Sequence, residues 1–156
     1  MRLVSLSKRV DQSKIVPLIL GSKVEVSNHT GKFDWSSTSQ TRHSFVLLCA
    51  GTGVTPMVKL TLDALRIDPS NHVHMVFFNK TEADIQWRDH LDHLETIEHP
   101  RFSVVHVLSQ EPDWQGRKGR MSKELLMELI GSRIAEDDAK LVCVCGPHAF
   151  TDATLG

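Results

Sequence analysis

Apolar residues beyond position 43 fall into short runs, and longer stretches with helical spacing separate these runs. The runs lie at 45–50, 73–78, 102–108 and 141–145. Runs of this length and composition predict strands that are buried on both faces of a sheet. The intervening stretches predict helices, and a further helix is expected near Phe150. This alternation predicts an α/β fold with a doubly wound, mostly parallel sheet and helices on both faces.

The first 42 residues follow a different pattern, because they are polar and rich in turn residues. One short strand candidate, Lys23–Ser27, alternates apolar and polar positions after Gly21. The segment 34–43 is rich in Ser and Thr and is interpreted as a loop. The sequence therefore predicts two parts, residues 1–42 and residues 43–156.

Composition and charge narrow the functional classes. The 156 residues carry a formal net charge of −1, which offers no basic face for nucleic acid. The longest apolar runs are far shorter than a membrane span, so no membrane segment is predicted in this chain. The three cysteines, an odd number in apolar runs, favour a reducing compartment over a disulfide framework. We expect Cys143 to lie in the core and Cys145 to face the opposite way.

A glycine motif follows the first apolar run. It reads Ala50-Gly51-Thr52-Gly53-Val54-Thr55-Pro56 and opens the first predicted helix. Glycines at such a junction let the backbone approach a ligand, and the helix start offers unpaired N–H groups to an anion. The motif is not a Walker A loop, and Pro56 stands where a dinucleotide fingerprint has its third glycine. A tight strand-to-helix turn without any ligand explains the local pattern equally well.

Two further strand ends carry unusual residues. Asn79 ends the second apolar run, and Cys145-Gly146-Pro147 ends the last one. In parallel sheets ligands bind at the carboxyl ends of the strands, so these residues are expected along one edge. For Cys145-Gly146-Pro147 the alternative is a buried thiol followed by a simple turn, without any ligand. His90 and His93 share a helix face, which we interpret as solvated; no metal site is predicted.

Together, the three motifs occur in a specific order. Gly51–Met57 is followed by Asn79–Ile85 and then by Cys145–Pro147. This order resembles the nucleotide domain of the ferredoxin–NADP reductase superfamily. Within it the chain looks most like the cytochrome b5 reductase family, in particular reductases that are fused to a cytochrome b5 domain.

The resemblance implies roles for individual residues. The implied nicotinamide contacts are Gly51, Thr52, Gly53 and Cys145, with Cys145 as the catalytic candidate closest to the ring. Gly146 and Pro147 would line the path of the pyrophosphate or the nicotinamide. The implied remaining cofactor contacts are Thr55 toward the flavin, Pro56, Asn79, and Asp84 near the adenine ribose. A carboxylate at the ribose favours NADH over NADPH. Nearby Lys80 and Arg88 leave NADPH open.

The resemblance also implies a reaction. A family member passes a hydride from NADH or NADPH to FAD, and electrons then go to a haem protein such as cytochrome b5. A location on the cytoplasmic side is implied, with association with the endoplasmic reticulum left open.

This sequence departs from the family pattern in several places. Ala50 replaces the first glycine of the family motif. The Arg-x-Tyr-Ser/Thr motif that binds FAD is missing, and only Leu18–Phe33 resembles the last strands of the flavin-binding antiparallel barrel. Residues 1–42 are therefore expected to be a loosely held remnant of that barrel with its linker, and residues 43–156 an NAD(P)-binding domain without its last strand. A truncated, non-catalytic NAD(P)-binding module or partner domain is the alternative. A doubly wound domain with an unrelated ligand is a third.

Overall fold

A six-stranded parallel sheet forms the centre of the molecule. The structure is a computed structural model that describes residues 2–5, 44–135 and 140–155. The strands are β1 (Arg2–Ser5), β2 (Ser44–Ala50), β3 (His72–Asn79), β4 (Phe102–Leu108), β5 (Arg117–Lys118) and β6 (Lys140–Cys145). They lie in the order β1-β6-β2-β3-β4-β5, and every neighbouring pair is parallel. The predicted α/β class is confirmed.

Helices cover both faces of this sheet. They are α1 (Val54–Ile67), α2 (Arg88–Glu98), α3 (Lys123–Ala135) and α4 (His148–Leu155). Alternate side chains of each strand pack on opposite faces, as the pleat requires. Those of Phe45, Leu47 and Cys49 pack with α1 and α2. Those of Val46, Leu48 and Ala50 pack with α3 and α4. Because both faces are covered, β2 is buried from Phe45 to Ala50, which explains its unbroken apolar run.

The helix predicted between β3 and β4 is interrupted. A short 3-10 turn at Glu82–Asp84 comes first, and α2 begins only at Arg88. Between them Trp87 has a left-handed backbone with φ of 55°, which is uncommon for a bulky residue. Apolar spacing alone cannot reveal this break, because Ile85 and Leu91 are both buried as a continuous helix would also require.

The expected orientation of the two thiols on β6 is wrong. Side chains alternate along a strand, so residues two apart share a face. Cys143 and Cys145 accordingly pack against the same core cluster, on the side of α1 and α2. Cys49 lies beside Cys145 on the neighbouring strand, in register with it.

The division of the chain at residue 42 stays a prediction. The strand candidate Lys23–Ser27 and the Leu18–Phe33 segment lie outside the described residues. Arg2–Ser5 pairs with β6 at the edge of this sheet. The sequence instead predicts these four residues as part of a loosely held barrel remnant. Among the described helices, none is long and apolar enough to cross a membrane.

Candidate nucleotide site

A cavity of about 610 Å³ lies along the carboxyl ends of the strands. This size suits a small molecule or a cofactor. The residues at the ends of β2 and β3 that line it are Ala50, Gly51, Thr52, Phe78, Asn79 and Lys80. The following loops contribute Asp84, Gln86, Ser109, Gln110, Arg120 and Met121, and the turn and helix after β6 contribute Pro147, Ala149, Phe150 and Ala153. Of the ten site residues expected from sequence, five line this cavity: Gly51, Thr52, Asn79, Asp84 and Pro147.

The glycine motif forms the turn between β2 and α1. Gly51 has φ of +52°, and no heavy atom lies within 4 Å of the position where a Cβ would stand. Gly53 packs against the end of β6, where a Cβ would lie 2.2 Å from the carbonyl oxygen of Cys145. At Gly146 a Cβ would lie 2.7 Å from the ring of Phe150. The glycines therefore have two separate roles. Gly51 leaves room at the cavity wall, whereas Gly53 and Gly146 allow close packing beneath it.

Thr55 and Pro56 lie at the start of α1, beside the cavity and not in its lining. The Thr55 hydroxyl is exposed and donates a hydrogen bond to the carbonyl oxygen of Thr52 at 2.9 Å. Pro56 occupies the first turn of the helix, where its missing N–H costs no hydrogen bond. Both residues shape the turn, and the exposed side of Thr55 leaves its side chain accessible to a cofactor outside the cavity.

Asn79 provides an unpaired donor in the cavity wall. Its carbonyl oxygen accepts the N–H of Ser109 at 3.1 Å, which links the ends of β3 and β4. Its side-chain Nδ2 is buried and has no hydrogen-bond partner among the described residues. An unsatisfied buried donor costs on the order of 1–3 kcal/mol, so a rotation of the Asn79 side chain that brings Nδ2 to a ligand acceptor in the cavity would be favourable.

Asp84 lies in the cavity lining but is engaged with its own loop. Its Oδ2 accepts hydrogen bonds from the Thr81 backbone N–H at 3.0 Å and from the Thr81 hydroxyl at 2.8 Å. These two hydrogen bonds lower the pKa of the exposed carboxyl, with a smaller contribution from the charge of Lys80. Asp84 therefore stays ionised and fixes the 3-10 turn at the cavity rim.

Cys145 lies behind the glycine turn and not in the cavity lining. Its carbonyl oxygen faces Gly53, and its partly buried side chain packs with the core on the α1 side. Burial raises the pKa of Cys143 to about 12 and raises that of Cys49 well above the usual thiol value. Those two thiols are core residues, and the catalytic role of Cys145 stays a prediction.

Several lining residues had no sequence signal, among them Ser109 and Gln110 after β4. Arg120 belongs to the segment Gly119-Arg120-Met121, which matches a family loop that the resemblance places beside the nucleotide, and it lines the cavity. The short strand β5 before it has no apolar pattern that would predict it. A loop tryptophan at position 114 could stack on a nucleotide or cover the core, and its sequence context favours the cover. Trp114 packs against the core, and the Arg88 guanidinium lies 5.2 Å from its ring centroid. In the described part of the chain, His90 and His93 are exposed and no cluster of metal-ligating residues is found.

The fold and the cavity together define a nucleotide-binding domain, because a glycine turn and an unpaired donor lie where a parallel sheet binds its ligands. The chain belongs to the oxidoreductase NAD-binding domain family, whose sequence profile matches residues 47–155. It is 42% identical to cytochrome b5 reductase 4 of Rattus norvegicus over 137 residues, which are 86% of this chain and 26% of that protein. It is 35% identical to the NADPH nitrate reductase of Aspergillus niger, over 85% of this chain and 16% of that protein.

A solved structure agrees with these relatives. The CS-b5R domains of human Ncb5or, in the NAD+ form, superpose with a TM-score of 0.74 at 41% identity, covering 81% of this chain and 35% of that chain. The resemblance to the cytochrome b5 reductase family and its nucleotide-domain fold is confirmed. The chain spans about a quarter of the length of the first curated relative it matches.

The residues present fit a nicotinamide dinucleotide better than they fit FAD. The cavity volume, the open side of Gly51 and the unpaired donor of Asn79 suit the former. For FAD, Thr55 is the single predicted contact, and the sequence contains no tyrosine with which to build the family's flavin motif.

Proposed function

We propose that this chain is the NAD(P)H-binding part of a flavin-dependent oxidoreductase of the cytochrome b5 reductase type. The family membership and the human NAD+-form structure support the nucleotide. The observation that carries the proposal is the cavity at the strand ends, with Gly51 open toward it and the Nδ2 of Asn79 unpaired in its wall.

Seven of the ten predicted residues have a role in this proposal. Gly51 and Thr52 support the nicotinamide half, and the Asn79 amide donates to a ligand oxygen deeper in the cavity. Pro147 borders the opposite wall, while Gly53 and Gly146 hold the end of β6 against the glycine turn. Cys145 positions that strand end beneath the nicotinamide. When bound, the nucleotide supplies a hydride and FAD accepts it, and the electrons then pass to a haem protein such as cytochrome b5.

A second candidate is a nucleotide-binding module without redox activity of its own. The missing tyrosine of the flavin motif favours it for the isolated chain. In both cases we propose residues 43–156 as the nucleotide domain, with β1 at the edge of its sheet, and the remainder of residues 1–42 as derived from a flavin-binding part. We also propose a location on the cytoplasmic side, with association with the endoplasmic reticulum left open. The three unbridged cysteines support it, because disulfides are rare in a reducing compartment.

One pair of measurements separates the two candidates. The purified chain is mixed with FAD, dialysed and examined for a retained flavin absorbance band, and NADH-dependent reduction of ferricyanide is then followed. Retained flavin with turnover supports the reductase. Nucleotide binding without flavin or turnover supports the non-catalytic module. If the chain binds neither NADH nor NADPH in calorimetry, both candidates are wrong.

The cavity assignment needs its own variant. Asn79→Asp replaces the unpaired donor by an acceptor of the same size, so NADH affinity should fall by about tenfold or more. Gln115→Glu makes the same chemical change at an exposed position outside the cavity and should leave NADH affinity unchanged. Equal affinities of the Asn79→Asp variant and the parent would show that Asn79 does not contact the nucleotide.

A further inference from the structure

The charges on the cavity wall are unbalanced. Lys80 and Arg120 are the cationic lining residues and Asp84 is the anionic one, which leaves one excess positive charge. The Arg120 side chain is exposed, and it has no ion pair within the part of the chain that the structure describes. Its guanidinium therefore keeps its donors available to a bound group.

The neighbouring basic side chains are engaged elsewhere. Arg117 on β5 pairs with Glu128 on α3. The Lys118 Nζ donates a hydrogen bond to the Pro112 carbonyl oxygen at 2.5 Å. Gly119 follows with φ of +135°, and its N–H donates to Leu108 at 2.9 Å. This glycine redirects the chain after β5, so that Arg120 alone of the three cations lines the large cavity.

The position of Arg120 matters because of the strand order. The glycine turn follows β2 and Arg120 follows β5, with β3 and β4 between them. At about 4.8 Å per strand spacing, the ends of β2 and β5 are about 14 Å apart. An extended dinucleotide with its nicotinamide at Gly51 would thus place its adenosine half toward Arg120, Lys80 and Asp84.

Asp84 is poorly placed to decide nucleotide choice by itself. Its Oδ2 already accepts two hydrogen bonds from Thr81, so that oxygen is directed at its own loop and not at a ribose hydroxyl. The positive charge of Lys80, the residue immediately before Thr81, also partly offsets the negative charge of Asp84.

We propose that Arg120 binds the 2′-phosphate of NADPH, so that this site accepts NADPH at least as well as NADH. The inference rests on the proposed nucleotide-binding function and names the group that selects the nucleotide. The planar guanidinium fork matches a phosphate in geometry and charge. An arginine near the ribose is also the general solution for a 2′-phosphate in nucleotide domains.

Calorimetry with four probes tests this assignment. The probes are NADPH, NADH, 2′,5′-ADP and 5′-AMP, and within each pair the members differ only in the 2′-phosphate. Arg120→Gln should lower affinity for NADPH and 2′,5′-ADP by about 10- to 100-fold, the range for a charge-assisted hydrogen bond. NADH and 5′-AMP should change by less than about threefold on the same scale. Arg117→Gln removes an equal charge outside the cavity and should change none of the four affinities.

The opposing outcomes are distinct. The 2′-phosphate assignment is wrong, while nucleotide binding stands, if Arg120→Gln lowers the affinity for all four probes alike. The same conclusion holds if the parent chain binds NADPH at least tenfold more weakly than NADH. If no probe binds to the parent chain, the proposed function is overturned and this inference with it. Thermal unfolding of both variants confirms that each is folded before its affinities are compared.

Discussion

Gly53→Ala adds one methyl group at the closest backbone contact in the site. The new Cβ would lie 2.2 Å from the Cys145 carbonyl oxygen and 2.9 Å from the Gly146 nitrogen. Ordinary contacts begin near 3.4 Å, so the glycine turn and the end of β6 must separate by about 1 Å. Both partners are backbone atoms and cannot rotate away. Overpacking of this kind costs about 1–3 kcal/mol in the free energy of unfolding. The midpoint of thermal unfolding should therefore fall by roughly 3–10 °C.

The assay combines thermal unfolding, followed by circular dichroism, with calorimetry of NADH binding. Gly131→Ala is the matched control, because its Cβ would meet only the end of the Met127 side chain at 3.5 Å. Gly131 lies inside α3, where alanine should raise the free energy of unfolding by about 0.5–1 kcal/mol. If Gly53→Ala unfolds at the same temperature as the parent and binds NADH equally well, the close packing of the glycine turn against β6 is refuted.

Three further changes have expected outcomes. Gly51→Ala should lower the free energy of unfolding by about 1–2 kcal/mol, because its φ is positive, and should weaken NADH binding; a loss of stability with unchanged binding would place Gly51 outside the site. Burial lowers the pKa of His106, although Asp92 opposes this, so the unfolded state gains the proton first as pH falls. The free energy of unfolding should therefore be highest above about pH 6.5 and fall below it, and His106→Phe should reduce that fall in urea titrations; an equal pH slope in both proteins would contradict this. Asp84→Asn keeps an oxygen for Thr81 but removes the negative charge from the cavity wall, so NADPH affinity should rise relative to NADH affinity; equal changes in calorimetry would show that the Asp84 charge does not act on the 2′-phosphate.

The strands and their functional ends could be predicted because burial on both faces leaves a clear sequence pattern. The run that ends at Ala50 is apolar throughout since every side chain of β2 after Ser44 meets a covered face. Parallel pairing then brings the ends of β2, β3 and β6 to one edge, so Gly51, Asn79 and Pro147 meet without any long-range information in the sequence.

Features set by local backbone geometry could not be predicted in this way. The two residues of β5 are both exposed cations, so nothing in their pattern indicates a strand. The left-handed turn at Trp87 breaks a helix whose apolar spacing continues across the break. Propensity also disfavours a bulky residue in that conformation, and the Trp87 side chain is 46% exposed, so burial gives no signal for the break either.

The pairing of β1 with β6 has a consequence for the order of folding. It joins Arg2 to Leu141, roughly 140 positions away, whereas β2 and β3 pair over fewer than 30. The entropy of closing a loop rises with its length, and contacts between distant segments form slowly. We expect β2, β3 and β4 to condense first and the four residues of β1 to join a sheet that already exists. The amide hydrogens of β1 should then be the first of the sheet to exchange with solvent deuterium, because undoing the last pairing leaves the remaining strands intact.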